Sequence, residues 1–223
     1  MTRPSCSRIR AIFTSTAGSA AGDAAPVPLG ITFPAVISHG VARTAANVDS
    51  AWVGTDVAAL VRERTGREAV VVNDADAAGL AEVRYGAARG VQGTVLVLTL
   101  GTGIGSALVR DGRLVPNTEL GHLELDGHDA ETQASDAARK REDLSWESWA
   151  RRVEAYLRHV DALLWPDLVV LGGGVSKKTE KWLHLVDVRP ELRPAELLND
   201  AGIVGAALLA AELPAAGFPA GRG

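Results

Sequence analysis

Cysteine is nearly missing: of 223 residues, only Cys6 carries a thiol. A disulfide framework and a cysteine-based zinc site are therefore both excluded within one chain, and a cytoplasmic setting is expected. Long apolar runs are missing as well. No stretch approaches the roughly 18 residues that a membrane-spanning helix requires, and the apolar stretch after residues 8–11 is too short for a secretion signal. No membrane partner is expected. Nor is there a basic excess, since 23 Lys and Arg face 27 Asp and Glu for a net charge of −4. A general nucleic-acid binder would show the opposite balance, so no nucleic acid is expected, although a local basic groove for an anionic substrate is compatible. What is there is 47% hydrophobic and 22% charged, the composition of an ordinary globular chain that fills one large domain or two small lobes.

Residues 1–28 are rich in Ser, Thr, Ala, Gly, Pro and Arg without periodicity, which predicts a poorly ordered segment. Order is expected to begin with a strand at Leu29–Phe33, stopped by Pro34. Thr55 and Asp56 can cap a helix running to about Arg64 and ending at Gly66. Glu68–Val72 reads as a strand buried on both faces, followed by a helix over Ala77–Tyr85. Thr94–Leu100 is a second buried strand. Asp111-Gly112 between two apolar runs predicts a hairpin. Residues 126–143 are polar and read as a mobile loop passing into a helix. Ser145 caps a long amphipathic helix that Pro166 ends, and its tryptophans are expected in the core or at a subunit interface. Asp167–Leu171 is a third buried strand, a helix is expected from about Lys177, and Ala201–Leu213 reads as an apolar terminal helix. Strands alternate with helices, which predicts an α/β protein with a largely parallel sheet.

Four short strings carry chemistry. Asn73-Asp74 stands where a buried strand ends and a helix begins, the place where α/β proteins put ligands. A carboxylate there can accept a proton from an attacking hydroxyl, and Asn73 can donate and accept toward neighbouring hydroxyls; equally, Asp74 or Asp76 could merely cap the helix. The turn Gly101-Thr102-Gly103-Ile104-Gly105 has neither the lysine of a P-loop nor the spacing of the dinucleotide fingerprint, and a strand rather than a helix follows it. It is a hairpin-type turn whose amides and Thr102 hydroxyl could hold phosphate oxygens, or a tight turn that needs glycine for its backbone. Glu119 and His122, three residues apart, could grip two hydroxyls of one sugar; taken alone, His122 is as well explained by a structural role. Glu124 and Glu131 are further acids that spacing does not rank. Gly172-Gly173-Gly174 leaves a strand and opens toward Lys177 and Lys178, where a flat base or a phosphate could approach bare backbone.

In their order and strand contexts these strings resemble the ROK (repressor, open reading frame, kinase) family of sugar kinases, most of all its actinobacterial polyphosphate/ATP-dependent glucokinase branch. The resemblance runs from Gly30 to about Leu209. It rests on TFPAVISHGVARTAANVDSAWVGTD (32–56), VVNDADAAGLAEVRYGAARG (71–90), VLTLGTGIGSALVRDGRLVPNTELGHLELDGHDAE (97–131), VVLGGGVSKK and NDAGIVGAAL.

The resemblance implies a two-lobed, actin-like ATPase (ribonuclease H-like) fold. A remnant of the N-terminal lobe would span 29–92 and the C-terminal lobe 93–213, with 214–223 a loose tail. It implies transfer of a phosphoryl group from inorganic polyphosphate or ATP to the 6-hydroxyl of glucose. Asp74 would be the general base. Asn47, Asn73, Asp74, Glu119, His122 and Glu131 would hold the sugar. Gly101, Thr102 and Gly103 would take the donor phosphates, and Gly172, Gly173 and Gly174 the adenosine side. Mg²⁺ would bridge the phosphates and no zinc is expected; the long Trp-bearing helix makes a homodimer the expected assembly. The Asp-x-Gly-Gly turn of the family does not occur in residues 1–29, which implies a truncated N-terminal lobe. The alternatives are a catalytically impaired sugar-binding protein and, less favoured because no helix-turn-helix precedes the sugar lobe, a transcriptional regulator.

Overall fold

The structure, a computed structural model, describes residues 27–45 and 48–213. The expectations for residues 1–26, for Asn47 and for 214–223 lie outside the described residues. Two compact units are present: one holds the described residues up to Ala77 and from Gly202 onward, the other Ala78–Ala201.

In the first unit, β1 (Leu29–Phe33) is followed by β2 (Ile37–Ser38) and β3 (Val41–Ala42), a small antiparallel hairpin. Next comes α1 (Val57–Thr65), whose predicted cap is realised: Asp56 accepts the Ala59 N–H at 2.8 Å, and Gly66 closes the helix in the left-handed region. Then β4 (Ala69–Asn73) lies parallel to β1 and in register with it, Leu29 opposite Ala69 and Phe33 opposite Asn73. Ile31, Phe33 and Val71 bury against Trp52 and Val57 on one face. Helix α2 (Asp74–Tyr85) starts three residues before the predicted boundary, directly at the end of β4, and carries the chain into the second unit.

The second unit is built on five strands in the order β11-β10-β5-β6-β7. Here β5 (Thr94–Leu100), β6 (Ile104–Arg110) and β7 (Arg113–Val115) form an antiparallel meander. Asp111 and Gly112 both have positive φ, 49° and 77°, the backbone that a two-residue hairpin requires. The pair β8 (Glu124–Leu125) and β9 (His128–Asp129) is followed by α3 (Ala130–Ala134) and α4 (Asp136–Arg141). Residues 126–143, expected as a mobile loop passing into a helix, do pass into helix, but the loop is short: strand β9 and helix α3 already occupy 128–134 ahead of α4. Ala130 and Ala134 of α3 and Ala138 of α4, on either side of the extended Ser135, are all buried, so small residues make the apolar contacts that larger ones usually provide.

Helix α5 (Trp146–Leu164), capped by Ser145, follows. It leads to β10 (Leu168–Gly172), parallel to β5, and after a 3₁₀ run over Gly174–Lys181 to β11 (Glu191–Pro194), parallel to β10. The sheet is therefore mixed: parallel across β11-β10-β5 and antiparallel along the meander. Along β5 the side chains alternate. Leu96, Leu98 and Leu100 pack under Trp149, Val153, Tyr156, Leu157 and Val160 of α5. Val95 and Val97 pack with Ala87 and Ala88 on the opposite face. The Trp149 and Trp182 rings meet edge to face at 4.9 Å. Finally α6 (Ala201–Ala211) returns to the first unit, where Ala206 joins Val72 and Ala77.

Candidate active site

The strand β4 ends in Asn73, and the helix begins with Asp74. Asn73 is 8% exposed, and its side chain does the capping: Oδ1 accepts the N–H of Ala75 at 2.8 Å and of Asp76 at 3.2 Å. Its Nδ2 donates to the Ala35 carbonyl at 3.1 Å, tying the start of α2 to the chain after β1. Asp74 shares the Ala75 N–H with Asn73, and the residue keeps solvent access at the strand's carboxyl end. Crowding by protein atoms pushes its carboxyl above the ordinary Asp value, opposed by hydrogen bonding from the Ala75 N–H at 2.9 Å. A carboxylate so placed is a stronger proton acceptor than a fully hydrated one.

In the second unit, packing brings together the two glycine turns, which lie some seventy residues apart. Gly172 is opposite Thr99 in the parallel pair of β10 and β5. Gly173 has φ 82°, and a Cβ there would lie 2.5 Å from the Leu100 carbonyl oxygen, so only glycine lets the two backbones touch. Directly beyond Leu100, residues 101–103 close the hairpin into Ile104, with the Gly101 N–H donating to Gly103 O at 3.0 Å. The Gly101 carbonyl in turn accepts the Ala137 N–H at the start of α4. Thr102 is exposed at the tip. Glycine is not required for positive φ at 101 or 103, contrary to the tight-turn alternative. At Gly103 the reason is close approach: an added Cβ would meet Glu131 Oε2 at 2.2 Å.

Ile104 joins this turn to the sugar-type residues. Its N–H donates to Glu131 Oε2 at 3.0 Å, which separates Glu131 from Glu124. Its carbonyl lies against Gly121, where a Cβ would come within 2.3 Å, so the 3₁₀ turn Leu120–His122 sits directly on the start of β6. Ser106 holds the same segment. Its hydroxyl donates to the Thr118 carbonyl at 2.7 Å and accepts the Leu120 N–H at 3.0 Å. Glu119 and His122, both exposed, flank Gly121.

The sequence reading missed Asp129, whose Oδ2 lies 3.1 Å from His122 Nδ1. That bond raises the His122 pKa above its ordinary value; partial burial opposes it, and the charges of Glu131, Asp129 and Glu119 add to it. No spacing rule in a polar loop singles Asp129 out. Also missed was Asp136, largely buried, with Oδ2 3.9 Å from the position a Cβ on Gly174 would take. It pairs with Arg139 at 3.1 Å and Lys140 at 2.6 Å. Burial opposes ionisation there, but these two cations hold the carboxyl below its usual range. The Arg139 guanidinium stacks 4.1 Å from the Trp146 ring centroid, and Lys178 approaches the same ring at 6.0 Å.

Among the described residues, no three His, Cys, Asp or Glu side chains converge as a metal cage. Asp136, the acid beside Gly174, is already occupied by two cations, and Glu131, beside Gly103, holds the Ile104 N–H. These residues do not fit a dedicated Mg²⁺ site of the protein's own; an ion held chiefly by donor phosphates and water is the form that suits them.

The geometry is matched by known proteins. The profile described as "ROK family" matches residues 11–136. The polyphosphate glucokinase of Mycobacterium tuberculosis is 49% identical over 182 residues, covering 81% of this chain and 69% of the relative. That of Mycobacterium leprae is 47% identical, and this chain spans 56% of its length. Among solved structures, the inorganic polyphosphate/ATP-glucomannokinase of Arthrobacter sp. strain KM superposes with a TM-score of 0.80 at 56% identity, covering 85% of this chain and 75% of that one. A ROK family glucokinase from Streptomyces griseus, in complex with glucose and AMPPNP, shares the fold with a TM-score of 0.69 at 22% identity, covering 83% and 81%. With the profile spanning more than half of the sequence, and the glycine turns, the Asn73-Asp74 helix start and the Glu119–His122 segment all in place, the chain belongs to the ROK family.

Proposed function

We propose that this protein transfers a phosphoryl group from inorganic polyphosphate or ATP to the 6-hydroxyl of glucose, giving glucose 6-phosphate. The observation that carries the reading is Ile104: its N–H, directly after the Gly101–Gly103 turn, is held by Glu131, and its carbonyl lies against Gly121 between Glu119 and His122. It joins donor-type and acceptor-type residues in one hydrogen-bonded segment. The relatives named polyphosphate glucokinase support the choice of donor and acceptor.

Asp74 accepts the proton of the glucose 6-hydroxyl as its oxygen attacks phosphorus. The bond from that phosphorus to the bridging oxygen breaks, and the electron pair leaves on ADP or on the shortened polyphosphate. Glu119, His122 and Glu131 hold sugar hydroxyls, and the Asn73 amide, already fixed by Ala35, presents its remaining N–H. Gly101, Thr102 and Gly103 receive the donor phosphates, and Gly172–Gly174 the adenosine side. Mg²⁺ bound to the donor would supply charge neutralisation of its phosphates. Arg139 and Lys140 pair with one carboxylate, Asp136, and Lys178 lies with Arg139 at the Trp146 ring, leaving net positive charge that suits a polyanion. A cytoplasmic homodimer is part of this proposal, supported by the single cysteine and by Leu163 and Trp165 exposed at the end of α5.

The test is direct. Purified protein with glucose, Mg²⁺ and either ATP or polyphosphate should yield glucose 6-phosphate, read by a coupled dehydrogenase. Glucose binding by calorimetry with no product from either donor would overturn the transfer reaction. It would leave a sugar-binding protein.

A further inference from the structure

The glycine turn Gly172–Gly174 runs on into a 3₁₀ stretch carrying Lys177 and Lys178, both exposed and without an ion pair among the described residues. Lys178 lies about 8 Å beyond Gly174 at the rise of such a helix, and its Nζ stands 6.0 Å from the Trp146 ring centroid. Lys140, also exposed, reaches the same turn from α4. Its Nζ is 2.6 Å from Asp136 Oδ2, the oxygen that lies 3.9 Å from where a Cβ on Gly174 would stand. Helix α4 is itself fixed to the other glycine turn, because the Ala137 N–H donates to the Gly101 carbonyl at 3.0 Å.

The acids of this face do not neutralise it. Asp136 is shared by Arg139 and Lys140, and the Arg139 guanidinium is held between that carboxylate and the Trp146 ring. Glu142 is taken by Arg141 and Arg152, and Glu147 by Arg151. Glu180 makes no ion pair among the described residues and lines a groove with Leu183 and Val188. Three ammonium groups therefore stand open to solvent with one largely buried carboxylate among them. The two donors differ in what they bring here. Under the phosphoryl-transfer reading, on which the inference rests, the nucleoside of ATP lies along Gly172–Gly174, and a nucleoside carries no charge. A polyphosphate carries negative charge through the same stretch, so cations past the glycines act on it far more than on ATP.

We propose that Lys140, Lys177 and Lys178 form a subsite for inorganic polyphosphate. It holds phosphates beyond those seated on the glycine turns and sets the preference for this donor over ATP. The full chain carrying Lys177→Gln and Lys178→Gln together tests it, with Lys140→Gln as a second variant. By calorimetry, the Kd for long-chain polyphosphate should rise about five- to twentyfold in the double variant and about two- to fivefold in Lys140→Gln, because each exposed charge contact contributes up to about fivefold. The salt dependence of binding should flatten as well. The Kd for inorganic triphosphate, which ends on the glycine turns, should stay within about twofold. The ratio of kcat/KM with polyphosphate to that with ATP should fall by the factor seen in binding. Unchanged long-chain affinity in either variant overturns the proposal. So does an equal loss with triphosphate, which would put the lysines at the glycine turns themselves. Wild-type protein that binds a single-stranded oligonucleotide of matched charge as tightly as polyphosphate also overturns it, leaving a general polyanion surface. Polyphosphate binding as described, with no glucose 6-phosphate from either donor, defeats the transfer reading and leaves the subsite; turnover with ATP and no polyphosphate binding defeats the subsite alone.

Discussion

Gly121→Ala tests the construction of the sugar-holding segment. A Cβ at this position would lie 2.3 Å from the Ile104 carbonyl oxygen, 3.1 Å from Ile104 Cβ and 3.2 Å from its carbonyl carbon. The first distance is about 1 Å short of ordinary van der Waals contact. Ile104 cannot yield, because it is paired with Leu100 in the sheet and its N–H is held by Glu131. The turn Leu120–His122 must therefore retreat by about 1 Å, at a cost of about 1–3 kcal/mol for overpacking. Glu119 and His122 move with it, and a hydrogen bond from a charged group to a sugar hydroxyl lost by a shift of about 1 Å costs about 1.5–3 kcal/mol, or about ten- to hundredfold in affinity. Calorimetry with glucose should show that loss, alongside a lower urea midpoint. Gly101→Ala is the matched control for stability, since nothing lies within 4 Å of its added Cβ, and its midpoint should stay within about 0.5 kcal/mol of wild type. Wild-type glucose affinity in Gly121→Ala would refute the close-approach argument.

Asp74→Asn should cut turnover per site by about 10²- to 10⁴-fold while sparing glucose binding. Because the folded state raises the Asp74 pKa, it binds that proton more tightly than the unfolded chain does. Wild-type stability therefore declines as pH rises from the ordinary value of 3.8 through the raised one, and Asp74→Asn should be the more stable protein at neutral pH, by urea titration. Asp129→Asn should lower the His122 pKa toward 6.5, followed by proton NMR. The stabilisation from the raised His122 value is full below the unfolded pKa and fades as pH climbs through the folded one, so this variant should lose stability on the acidic side only. Tyr156→Phe removes a buried hydroxyl that has no hydrogen-bond partner among the described residues. It should stabilise the protein by about 1 kcal/mol, and a loss of similar size would point to a water bonded there.

Where a rule concerns neighbours along the chain, the sequence was readable. The Asp111-Gly112 hairpin, the caps at Asp56 and Ser145, the stop at Gly66 and the strand Thr94–Leu100 follow from φ preferences, orphan amides at helix ends and side-chain alternation. Reading failed where small residues did the work of large ones. Ala130, Ala134 and Ala138 carry too little apolar surface to mark a helix, yet the tight approach of α3 and α4 to the sheet and α5 depends on their size. The start of α2 was placed late because Asn73 caps from inside the last residue of a strand, with no loop between the two elements.

The strings themselves (Asn73-Asp74, the turn 101–103, Glu119 and His122, the glycines 172–174) are one-dimensional patterns, and with their order they carry the family and the kind of reaction. Nothing along the chain ranks Glu131 above Glu124, pairs His122 with Asp129, or sets Gly173 on Leu100. Those choices arise from strand register and from which backbones approach closely enough to exclude a Cβ. A hydrogen bond or a steric contact acts over a few ångströms in space, whatever the separation in sequence, so it comes into being only when β5 and β10 lie side by side.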